Sequence, residues 1–410
     1  MRINCIVGPF LPLPPVLAGA CEKIFYALCE EFAQRGHEVT MISRRYKDFP
    51  HDEVINGVRH IRVQSRDRPG NSLVFRIFDI VYAWRVRRAL PAADITITNS
   101  VSAPLIISPR TAGKVYVDVA RYPKHQMRMY SRVDRLQCCS THIARAVIEQ
   151  TPAVAHLVKA IPNALTSIFA EETANPVDHD RPKEIVFVGR LAREKGVHLL
   201  IRAFALIAAR HPDWKLVIVG PHLESQGGDG EEFLRELKAM SSESGGAVDF
   251  IGPIFNEHDL LARFRRSAIF VYPSVAEKGE AFPVAPLEAT ACGCAPVVSD
   301  LRCFDDAITP GEHGLNFDHS DPTGKPLAEV LERLIEDEPL RRRFAEASKA
   351  KSLTYIPEAV AQLFLEDFAA LTGLPVDGER AVVTETSLSH ATKMAGVGVP
   401  ARHEATAVTD

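Results

Sequence analysis

The feature that most narrows the fold is a local order met repeatedly along the chain: a short apolar run, a glycine-bearing loop, an amphipathic helix and another apolar run. Its first instance joins a strand-like run at 2–7, a Pro/Gly loop at 8–19, a helix at 21–36 and a second run at 37–43. That helix carries Ile24, Phe25, Leu28 and Phe32 on one stripe and closes at Gly36, the spacing of a face laid on a sheet. Another instance starts at Glu184-Ile-Val-Phe-Val188, passes through a turn at 189–196 and a helix at 197–211, and returns at 214–219. Further apolar runs at 94–98, 114–118, 134–138, 248–254, 269–273, 295–299 and 314–317 extend the alternation. Strands separated by helices pair in parallel, because a parallel connection needs a crossover of a dozen residues or more. The run 54–63, with Asn56-Gly57 inside it, predicts a β-hairpin instead. At 410 residues and 46% hydrophobic content, the chain exceeds a single core, so two α/β domains with doubly wound sheets are expected.

Several classes fall away. The eight cysteines form no C-x-x-C pairs and no short secreted frame, which predicts free thiols in a reducing, cytoplasmic setting. The N-terminal outline of a signal peptide fails because Pro9, Pro12, Pro14 and Pro15 interrupt its apolar region. No apolar stretch approaches the roughly 18 residues of a membrane span, so the expectation is a soluble or at most peripheral chain. There is no G-x-x-x-x-G-K-[ST] sequence for a P-loop. Asp178-x-Asp180 has the spacing of a metal-binding pair but follows no strand, and solvation of a linker explains it. Charge is uneven: residues 1–160 hold 23 Lys and Arg against 13 Asp and Glu, a net +10, and the rest hold 25 against 39, a net −14. The basic half suits an anionic membrane surface or acceptor as well as a plainly solvated face. Arg85, Arg87 and Arg88 follow the apolar-aromatic stretch 74–84, the outline of a surface-seeking amphipathic helix.

Two stretches carry the chemistry. In Gly189-Arg190-Leu-Ala-Arg-Glu-Lys195-Gly196 two cations flank a strand-to-helix turn. Free N–H groups and two positive side chains suit a diphosphate. In the stretch 274–300, Glu280 lies in a loop. Glu288 is placed in the first turn of a helix that has Pro286 near its start and ends at Gly293. Two carboxylates beside a helix N-terminus suit hydroxyls and an anion together; a simple preference for acids at helix starts would account for them equally well.

Their context adds to this. Glu280-x-Phe282-x-x-x-x-x-Glu288-Ala289-x-Ala291-x-Gly293, followed by Pro-Val-Val-Ser-Asp, resembles the E-x7-E signature of retaining glycosyltransferases of family 4 (glycosyl transferases group 1), and residues 189–196 resemble their G-R-x-x-x-x-K-G stretch. The resemblance spans roughly residues 1–371. It implies a GT-B fold, two Rossmann-like doubly wound α/β domains facing across a cleft. The expected divisions are an acceptor domain 1–165, a linker 166–182, a donor domain 183–356, a crossover helix 357–373 and a disordered tail 374–410. The substrates implied are a nucleoside-diphosphate sugar and a saccharide or lipid-linked saccharide acceptor, with no cofactor, no metal and no nucleic acid. Arg190 and Lys195 would stabilise the leaving diphosphate, Glu280 with Ala281 and Phe282 would hold the sugar, and Glu288 the ribose. Ile254 would meet the base, Gly189 would shape the phosphate turn, and Gly19 would cap the phosphates from the first domain. Ala160-Ile-Pro-Asn-Ala164 resembles the family's Pro-Asn motif closing that domain.

Three positions depart from the pattern. Ala20 stands where the family has a second glycine. Asp118 or Ala120 occupies the place of a histidine near the donor hexose, and the nearby His125 fits a surface role. Glu280-Ala-Phe-Pro283 replaces E-G-F-G, and proline offers no N–H to a sugar. The base, sugar and acceptor stay open, as do two rival readings: a nucleotide-sugar epimerase or phosphorylase, and a non-catalytic subunit of a polysaccharide assembly. The inner face of the cytoplasmic membrane suits a lipid-linked acceptor.

Overall fold

The computed structural model describes residues 1–17 and 19–377. All but the first four residues of the expected disordered tail lie outside them. Eight strands form the first sheet: β1 Arg2–Ile6, β2 Glu38–Arg44, β3 Asp52–Ile55, β4 Val58–Val63, β5 Ile95–Thr98, β6 Lys114–Val119, β7 Arg135–Cys138 and β8 Val158–Ala160, in the order β3-β4-β2-β1-β5-β6-β7-β8. Only β3 and β4 pair antiparallel among them. Asn56 and Gly57 between them have φ of 49° and 80°, the left-handed pair that a two-residue hairpin turn requires.

The second sheet is wholly parallel. Its strands are β9 Glu184–Val188, β10 Lys215–Val219, β11 Ala247–Gly252, β12 Ile269–Tyr272, β13 Ala295–Ser299 and β14 Leu315–Phe317, in the order β11-β10-β9-β12-β13-β14. Chain direction across the sheet reverses between β9 and β12, as it does between β1 and β5. At such a switch point the outgoing loops part and leave a crevice beyond the carboxyl ends of the strands. The pairing of β9 with β12 covers only Ile269 with Ile185 and Phe270 with Val186, so the crevice there opens early. Among the described residues no helix is long and apolar enough to cross a membrane.

Two local expectations change. The helix after β12 spans Val284–Ala291, two residues ahead of Pro286, so Glu288 sits in its second turn rather than its first. Pro283 ends the loop, and proline is tolerated at the third helical position because the first four N–H groups have no intrahelical partner. The stretch 166–182 is also more than a polar connector. It contains the helix Ser167–Glu172, with Phe169 fully buried against Phe264 at a ring separation of 6.1 Å and buried Glu172 paired with Arg265.

The last helix, Pro357–Thr372, lies on Ala20–Gln34 and returns the chain to the first domain. Phe364 and Phe368 meet Phe32 and Tyr116 at ring separations of 5.2–6.3 Å. Buried Asp367 takes two bonds from Arg135, both 2.8 Å, and one of 2.9 Å from the Tyr116 hydroxyl. Asp367→Ala strands the guanidinium and the phenol. Urea titration should show a loss of about 3 kcal/mol or more; a loss below about 1 kcal/mol would mean that aromatic packing alone holds the helix.

Candidate functional site

The loops at the second switch point meet because of Gly196. Its φ is +68°, and a Cβ there would run into the Pro273 carbonyl, so only glycine lets the turn after β9 lie against the loop after β12. The closeness brings Lys195 to Glu280, with Nζ 2.5 Å from Oε1 and both residues buried. The ammonium also stands 5.6 Å from the centre of the Tyr272 ring. Burial, and after it the Glu280 charge, pushes the Tyr272 phenol well above its ordinary range. Arg190 lies at the rim, its side chain 42% exposed, donating to the Gly227 carbonyl at 2.5 Å and to Glu194 at 2.7 Å. The two cations expected to act alike therefore differ: one is buried on a carboxylate and the other is held at the rim by Gly227 and Glu194. The sequence shows both residues but not that Lys195 and Glu280 touch.

The stretch 280–283 is tied to the first domain. The Ser140 hydroxyl donates to the Ala281 carbonyl at 2.7 Å, and Asn163 Nδ2 to that of Phe282 at 3.3 Å. The Phe282 ring turns into the core against Tyr355 at 5.7 Å, so its exposed chemistry is backbone. Asn163 belongs to the Pro-Asn motif already singled out; Ser140 carried no such signal. Nearby, Thr141 bonds Asp306 through its N–H (2.7 Å) and its hydroxyl (2.6 Å), and Lys23 meets Glu257 at 2.8 Å.

Glu288 is half-buried beside that last pair. Burial pushes its carboxyl up to about 7, with the Glu257 charge adding to the shift and Lys23 opposing it. Between the domains, Lys23, Tyr26, Thr166, Phe255 and Glu257 line a cavity of about 360 Å³, within the size of small-ligand sites. Ile254, partly buried, immediately precedes Phe255. Gly189 directly follows β9, whose last residue is Val188.

On the first-domain side, Gly19 precedes the helix Ala20–Gln34, and a Cβ there would press on Leu11 and Glu22. Glu22 and Asp118, each 9% exposed, face one another closely enough to interact. Burial, then the charge of Glu22, pushes Asp118 up to about 7. Burial likewise raises Glu22, while Arg121 pulls it down. The sequence singles out Asp118, with Ala120, at the place of the missing histidine, whereas Glu22 as the neighbour of Asp118 is not visible there. Asp178, by contrast, accepts from the N–H of Asp180 at 2.9 Å, an ordinary turn contact within the linker.

Residues 21–166 match the family described as Glycosyltransferase Family 4, and residues 169–351 that described as Glycosyl transferases group 1. The chain is 27% identical over 335 residues to an exopolysaccharide phosphotransferase of Streptomyces coelicolor, covering 78% of this chain and 33% of that protein. It is 31% identical over 201 residues to a D-inositol 3-phosphate glycosyltransferase of Corynebacterium urealyticum, covering 48% and 45%. It thus spans one third to about half the length of these relatives. A sucrose-phosphate synthase from Thermosynechococcus elongatus superposes with a TM-score of 0.68 at 20% identity, over 90% of this chain and all of that one. This likeness shows the fold, two Rossmann-like domains in the GT-B arrangement.

The raised carboxyls have a definite consequence for stability. Asp118 binds its proton more tightly folded than unfolded, so its contribution is full below the ordinary value of 3.8 and is lost as pH rises to about 7. Asp118→Asn should therefore raise the melting temperature at pH 8 by roughly 5 °C, and by much less at pH 5. An equal change at both pH values in differential scanning calorimetry would show that Asp118 is not held protonated.

Proposed function

Since this chain belongs to the group 1 glycosyltransferases of family 4, we propose that it transfers a sugar from a nucleoside diphosphate to an acceptor hydroxyl, with retention at the anomeric carbon. The contact between Lys195 and Glu280 at the switch point carries this reading. It places a cation suited to a diphosphate against a carboxylate suited to sugar hydroxyls. An arriving diphosphate competes for Lys195 and draws Arg190 inward from the rim, which frees Glu280 oxygens for two hydroxyls of the sugar. Phosphate recognition and sugar orientation are thereby coupled through one proton-bearing contact.

In the transfer step the bond from the anomeric carbon to the phosphate oxygen breaks while the acceptor oxygen bonds on the same face. The acceptor proton passes to the departing phosphate oxygen. Arg190 and Lys195 stabilise the charge that develops there, the effect for which preorganised groups contribute most, and no metal enters this reading. Glu280 orients and does not attack. Glu288 holds the ribose diol, Ile254 lies by the base, and the backbone at Gly19, Gly189, Ala281 and Phe282 shapes the donor bed. Pro283 withholds one N–H from the sugar and so bears on donor choice.

The acceptor side falls to the basic first domain, which suits a saccharide or a lipid-linked saccharide at the inner face of the cytoplasmic membrane, in polysaccharide or glycolipid assembly. The names of the two curated relatives, an exopolysaccharide enzyme and an inositol phosphate glycosyltransferase, support that range.

A thermal-shift panel of UDP-, GDP- and ADP-sugars, with and without EDTA, tests the donor site. One nucleotide series should stabilise the protein by about 2.7 kcal/mol at a hundred times its dissociation constant, independent of EDTA and lost in Lys195→Ala and Glu288→Ala. Glu280→Gln should keep nucleotide binding while transfer falls by about 10²–10³. The anomeric configuration of the product, read by NMR, should match that of the donor. Absence of any nucleotide response would favour a non-catalytic subunit, and turnover without acceptor or only with free phosphate would favour an epimerase or a phosphorylase.

A further inference from the structure

The helix Ser72–Ala89 is apolar on both sides. Its inner side is anchored: Tyr82, Ala83 and Val86 are fully buried, and the Tyr82 hydroxyl donates to the carbonyls of Val7 at 3.0 Å and Ile42 at 3.3 Å. Its acid, Asp79, is also buried and accepts from the Ser100 hydroxyl and the Ser102 N–H. The outer side carries Leu73, Ile77, Ile80, Val81 and Trp84, exposed by 65, 50, 44, 41 and 48%. Steps of four, three, one and three residues put them on one stripe. A helix that is apolar all round belongs in a core or against a membrane. This one lies at the surface with an outer stripe that nothing in the described residues covers.

Charge identifies the cover. The exposed residues of this helix include Arg76, Arg87 and Arg88 and no acid. Arg76 and Arg88 take part in no ion pair among the described residues, and Arg87 stands 5.3 Å from the centre of the Trp84 ring. Exposed Val101 and Leu105 continue the apolar area on the neighbouring segment. A second copy docked on the same stripe would bring two sets of exposed arginines into one interface with no exposed acid of the helix to meet them, whereas anionic lipid neutralises them.

We propose that this face docks the chain on an anionic lipid surface. The aliphatic residues and Trp84 enter the boundary between headgroups and acyl chains, and the arginines reach lipid phosphates. Phe10 of the loop after β1 packs on Phe75 of the same helix at a ring separation of 4.7 Å. Docking therefore holds that cleft-lining loop close to the bilayer. The inference lies outside the cleft and does not depend on the transfer reading.

The test uses the full chain, without donor or acceptor, and phosphatidylcholine vesicles with or without phosphatidylglycerol. The chain has two tryptophans, and Trp214 is 3% exposed, so a blue shift of tryptophan emission on vesicles reports Trp84. Cosedimentation and the blue shift should appear on anionic vesicles and weaken with salt. Ile80→Glu should abolish both, Trp84→Phe should remove the shift while keeping the binding, and Arg76→Ala with Arg88→Ala should weaken binding about fivefold per arginine. Leu206→Glu, at an exposed leucine of the second domain, should bind like the parent, and thermal melting should show each variant folded. Equal binding by Ile80→Glu, or no binding of the parent chain to anionic vesicles, overturns the proposal. So does a dimer in sedimentation equilibrium that Ile80→Glu dissolves without any vesicle binding.

Discussion

The buried ion pair between Lys195 and Glu280 is the contact on which the arrangement of the second domain's crevice depends. Two charges taken out of water lose several kcal/mol each in hydration, and only close approach with added polar contacts compensates. Here the approach requires Gly196, whose missing Cβ lets one loop lie on the backbone of the other. The Tyr272 ring supplies a further favourable surface for the ammonium. Each member of the pair thus offsets the other's buried charge.

The same loop also joins the domains. Ser140 and Asn163 hold the carbonyls of Ala281 and Phe282, so the backbone beside Glu280 is positioned by both halves of the molecule. The crossover helix fixes the far end through Asp367 and its aromatic neighbours. The placement of the 281–282 backbone therefore depends on how the two domains sit together. On the first-domain side, Asp118 and Glu22 bring two buried acids close together. Burial first, and the charge of Glu22 after it, raises the Asp118 carboxyl to about 7.

The charge asymmetry along the chain takes on a spatial meaning in this fold. The net +10 of residues 1–160 lies in the first domain, whose surface helix carries arginines among exposed apolar residues. The acidic remainder of the chain includes the segment that holds Lys195 and Arg190. Salt would thus affect lipid attachment more strongly than a buried contact such as Lys195 with Glu280, because screening acts on exposed charges.

The sequence by itself determined the alternation of strands and helices, the two glycine-bearing turns, the Asn-Gly hairpin and the signatures around Arg190, Lys195, Glu280 and Glu288. Each is local: apolar period, turn chemistry and residue spacing are written within a few residues of one another. Only the tertiary structure decided that Lys195 meets Glu280 across 85 positions, that Ser140 holds the Ala281 carbonyl, and that Phe282 turns inward. It alone showed that Glu22 stands beside Asp118, and that a segment of polar composition holds a helix anchored by Phe169. It also decided that the helix 72–89 keeps a second apolar face outside. The physical reason is common to all of these. Pairing between residues far apart in the chain, and the burial that shifts their proton affinities, follow from how sheets cross and pack, and neither composition nor periodicity encodes which face a packed element leaves uncovered.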